Sequence, residues 1–113
     1  MTTRTQLEFR AVEQFESILE KALRIQSEVI DLELIEGDLA ICYRFSDCTA
    51  HSAPLKGAIG GEIALLLLHR LGGRTIGGMS WTINQKLVRL QIEQYEHPGG
   101  IVLRLKFQET KGT

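Results

Sequence analysis

The segment from 55 to 71 restricts the possible folds more than any other part of the chain. It reads Leu-Lys-Gly-Ala-Ile-Gly-Gly-Glu-Ile-Ala-Leu-Leu-Leu-Leu-His-Arg-Leu, runs into Gly72-Gly73, and carries a single charge, Glu62, between Lys56 and His69. A helix so apolar has no full polar stripe to turn toward water and must be covered on nearly every side. In 113 residues the other elements cover one face and part of the flanks, so the far side is expected to meet another protein chain. Gly57, Gly61, Leu65 and Leu68 succeed one another at helical steps and form the expected contact face. Each glycine inside a helix costs on the order of 1 kcal/mol relative to alanine. Small residues one turn apart, with Gly60 beside them, let another backbone come close, either a strand of the protein's own sheet or a second copy of the helix. On this reading Gly61→Leu is more damaging than Ala64→Leu.

At 43% hydrophobic residues, the chain is expected to form a single α+β domain over 1–113, with enough apolar surface for one modest core. The start, Met-Thr-Thr-Arg-Thr-Gln-Leu-Glu-Phe, has no apolar stretch behind a basic beginning, and a secretory signal is not expected. The longest apolar run, 63–68, is about six residues against the roughly twenty that cross a bilayer. A cytoplasmic location and no membrane partner follow as expectations. Cys42 and Cys48 lack zinc-ligand spacing partners and read as reduced packing residues.

Periodicity orders the elements. Thr5-Gln-Leu-Glu8 fits a capping box, and Val12, Phe15, Ile18, Leu19, Ala22 and Leu23 recur at steps of three and four, which predicts an amphipathic helix ending near Gln26. The period then changes to two. Ile30, Leu32 and Leu34, then Leu39, Ile41 and Tyr43, flank Glu36-Gly37 and predict a hairpin pairing Leu34 with Leu39, Leu32 with Ile41 and Ile30 with Tyr43. Residues 46–52 read as a polar connection, and Pro54 as part of the first turn of the apolar helix. Beyond it, 79–83 alternates as a strand and Asn84-Gln85 is a tight turn. Segment 87–95 mixes helix-favouring residues with strict alternation, and alternation decides for a strand. His97-Pro-Gly-Gly100 then forms a loop into a last strand, with Ile92 opposite Leu105, Leu90 opposite Phe107 and Glu93 opposite Arg104.

The expected fold is therefore α+β: an antiparallel sheet of about five strands with two helices on one face, in the order α-β-β-α-β-β-β. This order is similar to that of roadblock-type and profilin-like small domains and, more loosely, of bacterial secretion chaperones. No family motif matches residue by residue, and topology does not settle function.

Few residues offer chemistry. Glu62 and His69 lie seven positions apart and so on nearly one face of the apolar helix, about 10 Å apart along its axis. They fit a narrow solvated stripe, or a ligand site in which Glu62 acts as acid or base if no cation pairs with it. His51 and His97 fall in expected loops without ligand-spaced neighbours, and a metal site from His51, His69 and Glu62 would have to assemble in space. The glycines of 72–78 follow a helix and precede a strand, the reverse of a phosphate loop, and read as a helix cap and a flexible turn. No motif calls for a cofactor or a metal. Trp81 reads as a core residue.

Charge is uneven along the chain. Residues 1–68 hold six Lys/Arg against eleven Asp/Glu, and residues 69–113 hold seven against three. Two halves folding onto each other explain this, as does a partner-binding patch. Arg70, Arg74, Arg89, Arg104 and Lys106 lack the recognition motif and aromatic interleaving of a nucleic-acid surface.

These features point to a non-enzymatic, cytosolic protein-interaction module acting as a homodimer, an adaptor, chaperone or regulatory subunit, with a further protein partner. The alternatives are a small ligand-binding or hydrolytic domain using Glu62, His69 and His51, and weak nucleic-acid binding through the basic C-terminal strands.

Overall fold

A computed structural model describes residues 3–108. Helix α1 spans Arg4–Ile25 and starts at a capping box built on Thr3 instead of Thr5. The Thr3 hydroxyl accepts the Gln6 backbone N–H at 3.1 Å, and the Gln6 side-chain oxygen accepts the Thr3 N–H at 3.0 Å. Thr3-x-x-Gln6 fits the motif as well as Thr5-x-x-Glu8, and starting there brings Arg4 into the helix. The helix stops where Gln26 turns left-handed, at φ 61°.

Six strands follow rather than five: β1 Val29–Ile35, β2 Asp38–Arg44, β3 Thr49–Leu55, β4 Ile76–Ile83, β5 Lys86–His97 and β6 Gly100–Phe107. Helix α2, Ala58–Leu71, separates β3 from β4. The element order is α-β-β-β-α-β-β-β, and the strands lie side by side as β3-β2-β1-β6-β5-β4, every neighbouring pair antiparallel.

The extra strand, β3, occupies most of what reads as a polar connection, and Pro54 lies in it rather than in the helix. An edge strand needs only one ladder and half-buried side chains, so it tolerates polar residues and a proline that an interior strand would not. The helix begins only after Gly57, whose φ of 78° suits glycine.

The hairpin registers hold. Leu34 pairs with Leu39, Leu32 with Ile41 and Ile30 with Tyr43, while Ile92 pairs with Leu105, Leu90 with Phe107 and Glu93 with Arg104. Asn84 and Gln85 both take positive φ, the conformation that matches the twist of a two-residue hairpin. The second loop is tighter than expected, because His97 already pairs with Gly100. Gly77 and Gly78 belong to β4 instead of a flexible turn.

Both helices cover one face of this sheet. Phe15 of α1 meets Trp81 of β4 edge-to-face, with ring centroids 5.2 Å apart. A Cβ at Gly60 would stand 2.8 Å from Leu39 Cβ and 3.2 Å from the Leu55 carbonyl oxygen. The close approach that the glycines permit is thus made by Gly60, onto β2 and β3. Gly61 would meet nothing within 4 Å, whereas Ala64 is buried. The expected order of damage at these two positions is therefore reversed, since a larger side chain overpacks at 64 and finds space at 61. Among the described residues no helix is long and apolar enough to cross a membrane.

Candidate functional site

Packing α1 against α2 leaves a groove of ≈ 320 Å³ between them, into which Glu62 and His69 both project along with Arg4, Glu8, Leu65 and Leu66. The early start of α1 decides its electrostatics. Arg4 sits one turn before Glu8, so its guanidinium donates through Nε to the Glu8 carboxylate at 2.9 Å and through NH1 to the Glu62 carboxylate. Glu62 is only 8% exposed, and Arg4 supplies the cation paired with it. His69 is exposed at the rim. Among the described residues no hydroxyl or thiol lines the groove, so the side chains it offers to chemistry are carboxylates, an imidazole and a guanidinium.

His51 does not join this groove. It lies on β3, in register with Cys42 of β2, and lines a separate hollow of ≈ 260 Å³ with Asp31, Cys42, Arg44 and Arg104. His97 is the last residue of β5, not a loop residue, and its Nε2 is 2.9 Å from the Glu33 carboxylate. Cys42 is partly buried and Cys48 exposed, both free thiols, so Cys48 does not pack in the core. Among the described residues no three His, Cys, Asp or Glu side chains gather as a metal would require.

The expected contact face of α2 runs along the outside of the helix. Gly57 is the exposed N-cap, Gly61 is open, Leu65 is 49% exposed and Leu68 packs partly against the core. On α1, Phe9 is 66% exposed.

The sheet face that no helix covers carries the structure's most developed polar arrangement. One cross-strand row traverses all six strands: His51, Cys42, Asp31, Arg104, Glu93 and Ile76. Arg104 donates to Asp31 through Nε at 2.8 Å and a terminal nitrogen at 3.1 Å, and Arg44 donates to it from the other side. Burial pushes the Asp31 carboxyl up, but hydrogen bonds and charge from the two arginines outweigh it and hold the group below its ordinary value. The Tyr95 hydroxyl donates to Glu93, Lys106 reaches it at 3.0 Å and Gln91 donates at 2.8 Å. Together these hold the Glu93 carboxyl down despite its desolvation, and the same bond pushes the Tyr95 hydroxyl up. Arg104 and Lys106, two of the basic residues of the C-terminal half, are thus engaged with carboxylates. Sequence reasoning found the Glu93–Arg104 register but not Asp31, because the β1–β6 pairing that sets Asp31 opposite Arg104 leaves no local sequence signal.

No protein-family model and no curated protein matches this chain.

Proposed function

We propose that the protein is a non-enzymatic interaction module that acts as a homodimer, serving a further protein as adaptor, chaperone or regulatory subunit. The observation that carries this reading is the outer surface of the helical layer, where Leu65, at the edge of the groove, is 49% exposed and Phe9 of α1 is 66% exposed. Apolar side chains at the rim of a groove offer another protein a surface to cover, as they would if they formed one contiguous patch. The groove argues in the same direction, since its buried carboxylate is committed to Arg4. Sedimentation equilibrium at micromolar concentration tests the dimer: a species of twice 12.7 kDa is expected, and a monomer at every concentration overturns the reading.

A second reading, a small-ligand site, draws on the convergence of Glu62 and His69 in one groove. It predicts that a bound small molecule perturbs the His69 ring resonances in an NMR titration and that Glu62→Gln abolishes the perturbation.

A further inference from the structure

The sheet ends in two edges that differ in kind. On β3 the ladder to β2 shifts between Leu39 and Ile41, and Pro54 lies within the strand. Bulges and prolines both blunt an edge against further pairing. The β4 edge has neither. Its residues, Ile-Gly-Gly-Met-Ser-Trp-Thr-Ile, hold no charge and no proline, and they pair with β5 without a shift from Ile76 to Ile83.

The phase of that ladder shows which groups are free. Gln94 donates its N–H to the Thr75 carbonyl at 2.8 Å, and hydrogen-bonded pairs alternate with non-bonded ones along an antiparallel ladder. The N–H and C=O groups of Gly77, Met79, Trp81 and Ile83 therefore point to β5. Those of Ile76, Gly78, Ser80 and Thr82 point out of the sheet, and all four residues are exposed.

We propose that β4 is the seam between two copies of this chain, the two strands pairing antiparallel about a two-fold axis at Met79. The inference rests on the homodimer reading above and assigns its interface to the sheet edge, which leaves the apolar outer surface of the helical layer to the further protein. With the axis there, Ile76 lies opposite Thr82 and Gly78 opposite Ser80, and every outward N–H and C=O of these four residues meets a partner. The same register sets Gly77 across from Trp81 of the second copy. Arg74 NH2 lies 3.7 Å from the position of a Gly77 Cβ, while Glu16 accepts the Trp81 indole N–H at 2.8 Å. Arg74 of each copy is thereby brought beside Glu16 of the other, twice by symmetry. Arg70, 5.7 Å over the Trp81 ring, belongs to the same cluster. This charge match selects a second copy over an unrelated extended segment, and the pairing joins two six-stranded sheets into one.

Three measurements on the full chain test it. Ser80→Pro removes one outward N–H per copy and leaves the ladder to β5 intact. Two hydrogen bonds lost per dimer should raise the dissociation constant by about 30-fold in sedimentation equilibrium. Glu16→Lys and Arg74→Glu should each weaken the dimer by about fivefold or more, and the double reversal should restore it. The amide protons of Ser80 and Thr82 should exchange more slowly as protein concentration rises. If Ser80→Pro fails to fold, the charge reversals and the exchange rates decide. A dimer insensitive to all these changes overturns the β4 seam and leaves the homodimer reading standing, whereas a monomer throughout overturns both.

Discussion

The two faces of the sheet shield their central side chains by different means and to different extents. Under the helices, Leu32, Leu90, Ile92, Leu103 and Leu105 are shut off from water by apolar side chains brought from α1 and α2. On the opposite face no element among the described residues lies above the strands, yet Asp31 and Glu93 are only 6% and 9% exposed. Their cover is made by the face itself. Arg44 and Arg104 fold over Asp31, Tyr95 and Lys106 close on Glu93, and the Arg104 guanidinium stands 5.5 Å over the Tyr95 ring. Long amphipathic side chains can cover a surface with their stems while their charged ends find partners. A two-layer α+β protein can thus shield carboxylates at the middle of its second sheet face without a third layer, by pairing charges across strands.

If this contrast is right, truncation should cost most on the helix-covered face. Leu32→Ala, at the centre of β1, removes buried methyl groups where the surroundings cannot collapse fully, and urea denaturation should show a loss of about 3–4 kcal/mol. Gly60→Ala comes next, at about 2 kcal/mol, since the new methyl meets the Leu39 side chain and backbone. A variant as stable as wild type would show that α2 does not sit directly on β2.

Asp31→Asn tests the open face and should cost about 1–2 kcal/mol near neutral pH, less than a fully buried pair because Arg44 and Arg104 can still reach water. The cost should depend on pH in a defined direction. The folded-state pKa of Asp31 is depressed below its ordinary 3.8, so its stabilisation is fully present above the unfolded value and is lost as pH falls through the folded one. The denaturation midpoints of wild type and the Asp31→Asn variant should therefore converge below about pH 4. Parallel curves down to about pH 2 would mean that the arginines do not stabilise the carboxylate. The smallest effect is a gain: Gly61→Ala, at an open position on α2, should stabilise by about 0.5–1 kcal/mol through helix propensity.

What the sequence made legible is what local patterns encode. The alternation on either side of Glu36-Gly37 sets both strands and their register, because a slip of one residue would turn Leu32 and Ile41 to the wrong face. The choice of strand for 87–95 rested on the same alternation and agrees with β5. Edge strand β3 escaped because Thr49-Ala-His-Ser-Ala-Pro has the composition of a loop, and only the neighbouring β2 makes it a strand. At the candidate site, the spacing of Glu62 and His69 placed them on one helix face, and they share a groove. Arg4 as the partner of Glu62 was hidden, since it depends on which threonine caps α1 and on how two distant helices cross.

Strand β1 sits at the centre of the sheet, between β2 and β6, and this placement governs how the chain assembles. The β1-β2-β3 meander and the β4-β5-β6 meander each form from neighbouring segments, but only the β1–β6 ladder, pairing Val29–Ile35 with residues 100–106, joins the two. On the ribosome, the first meander emerges with one side of β1 unsatisfied and waits until β6 has been synthesised. Loop closure across some seventy residues must precede the contacts that reward it, which places refolding toward the slower, millisecond-to-second end of small-protein rates. During that interval β1 is the strand most open to pairing with a neighbouring chain.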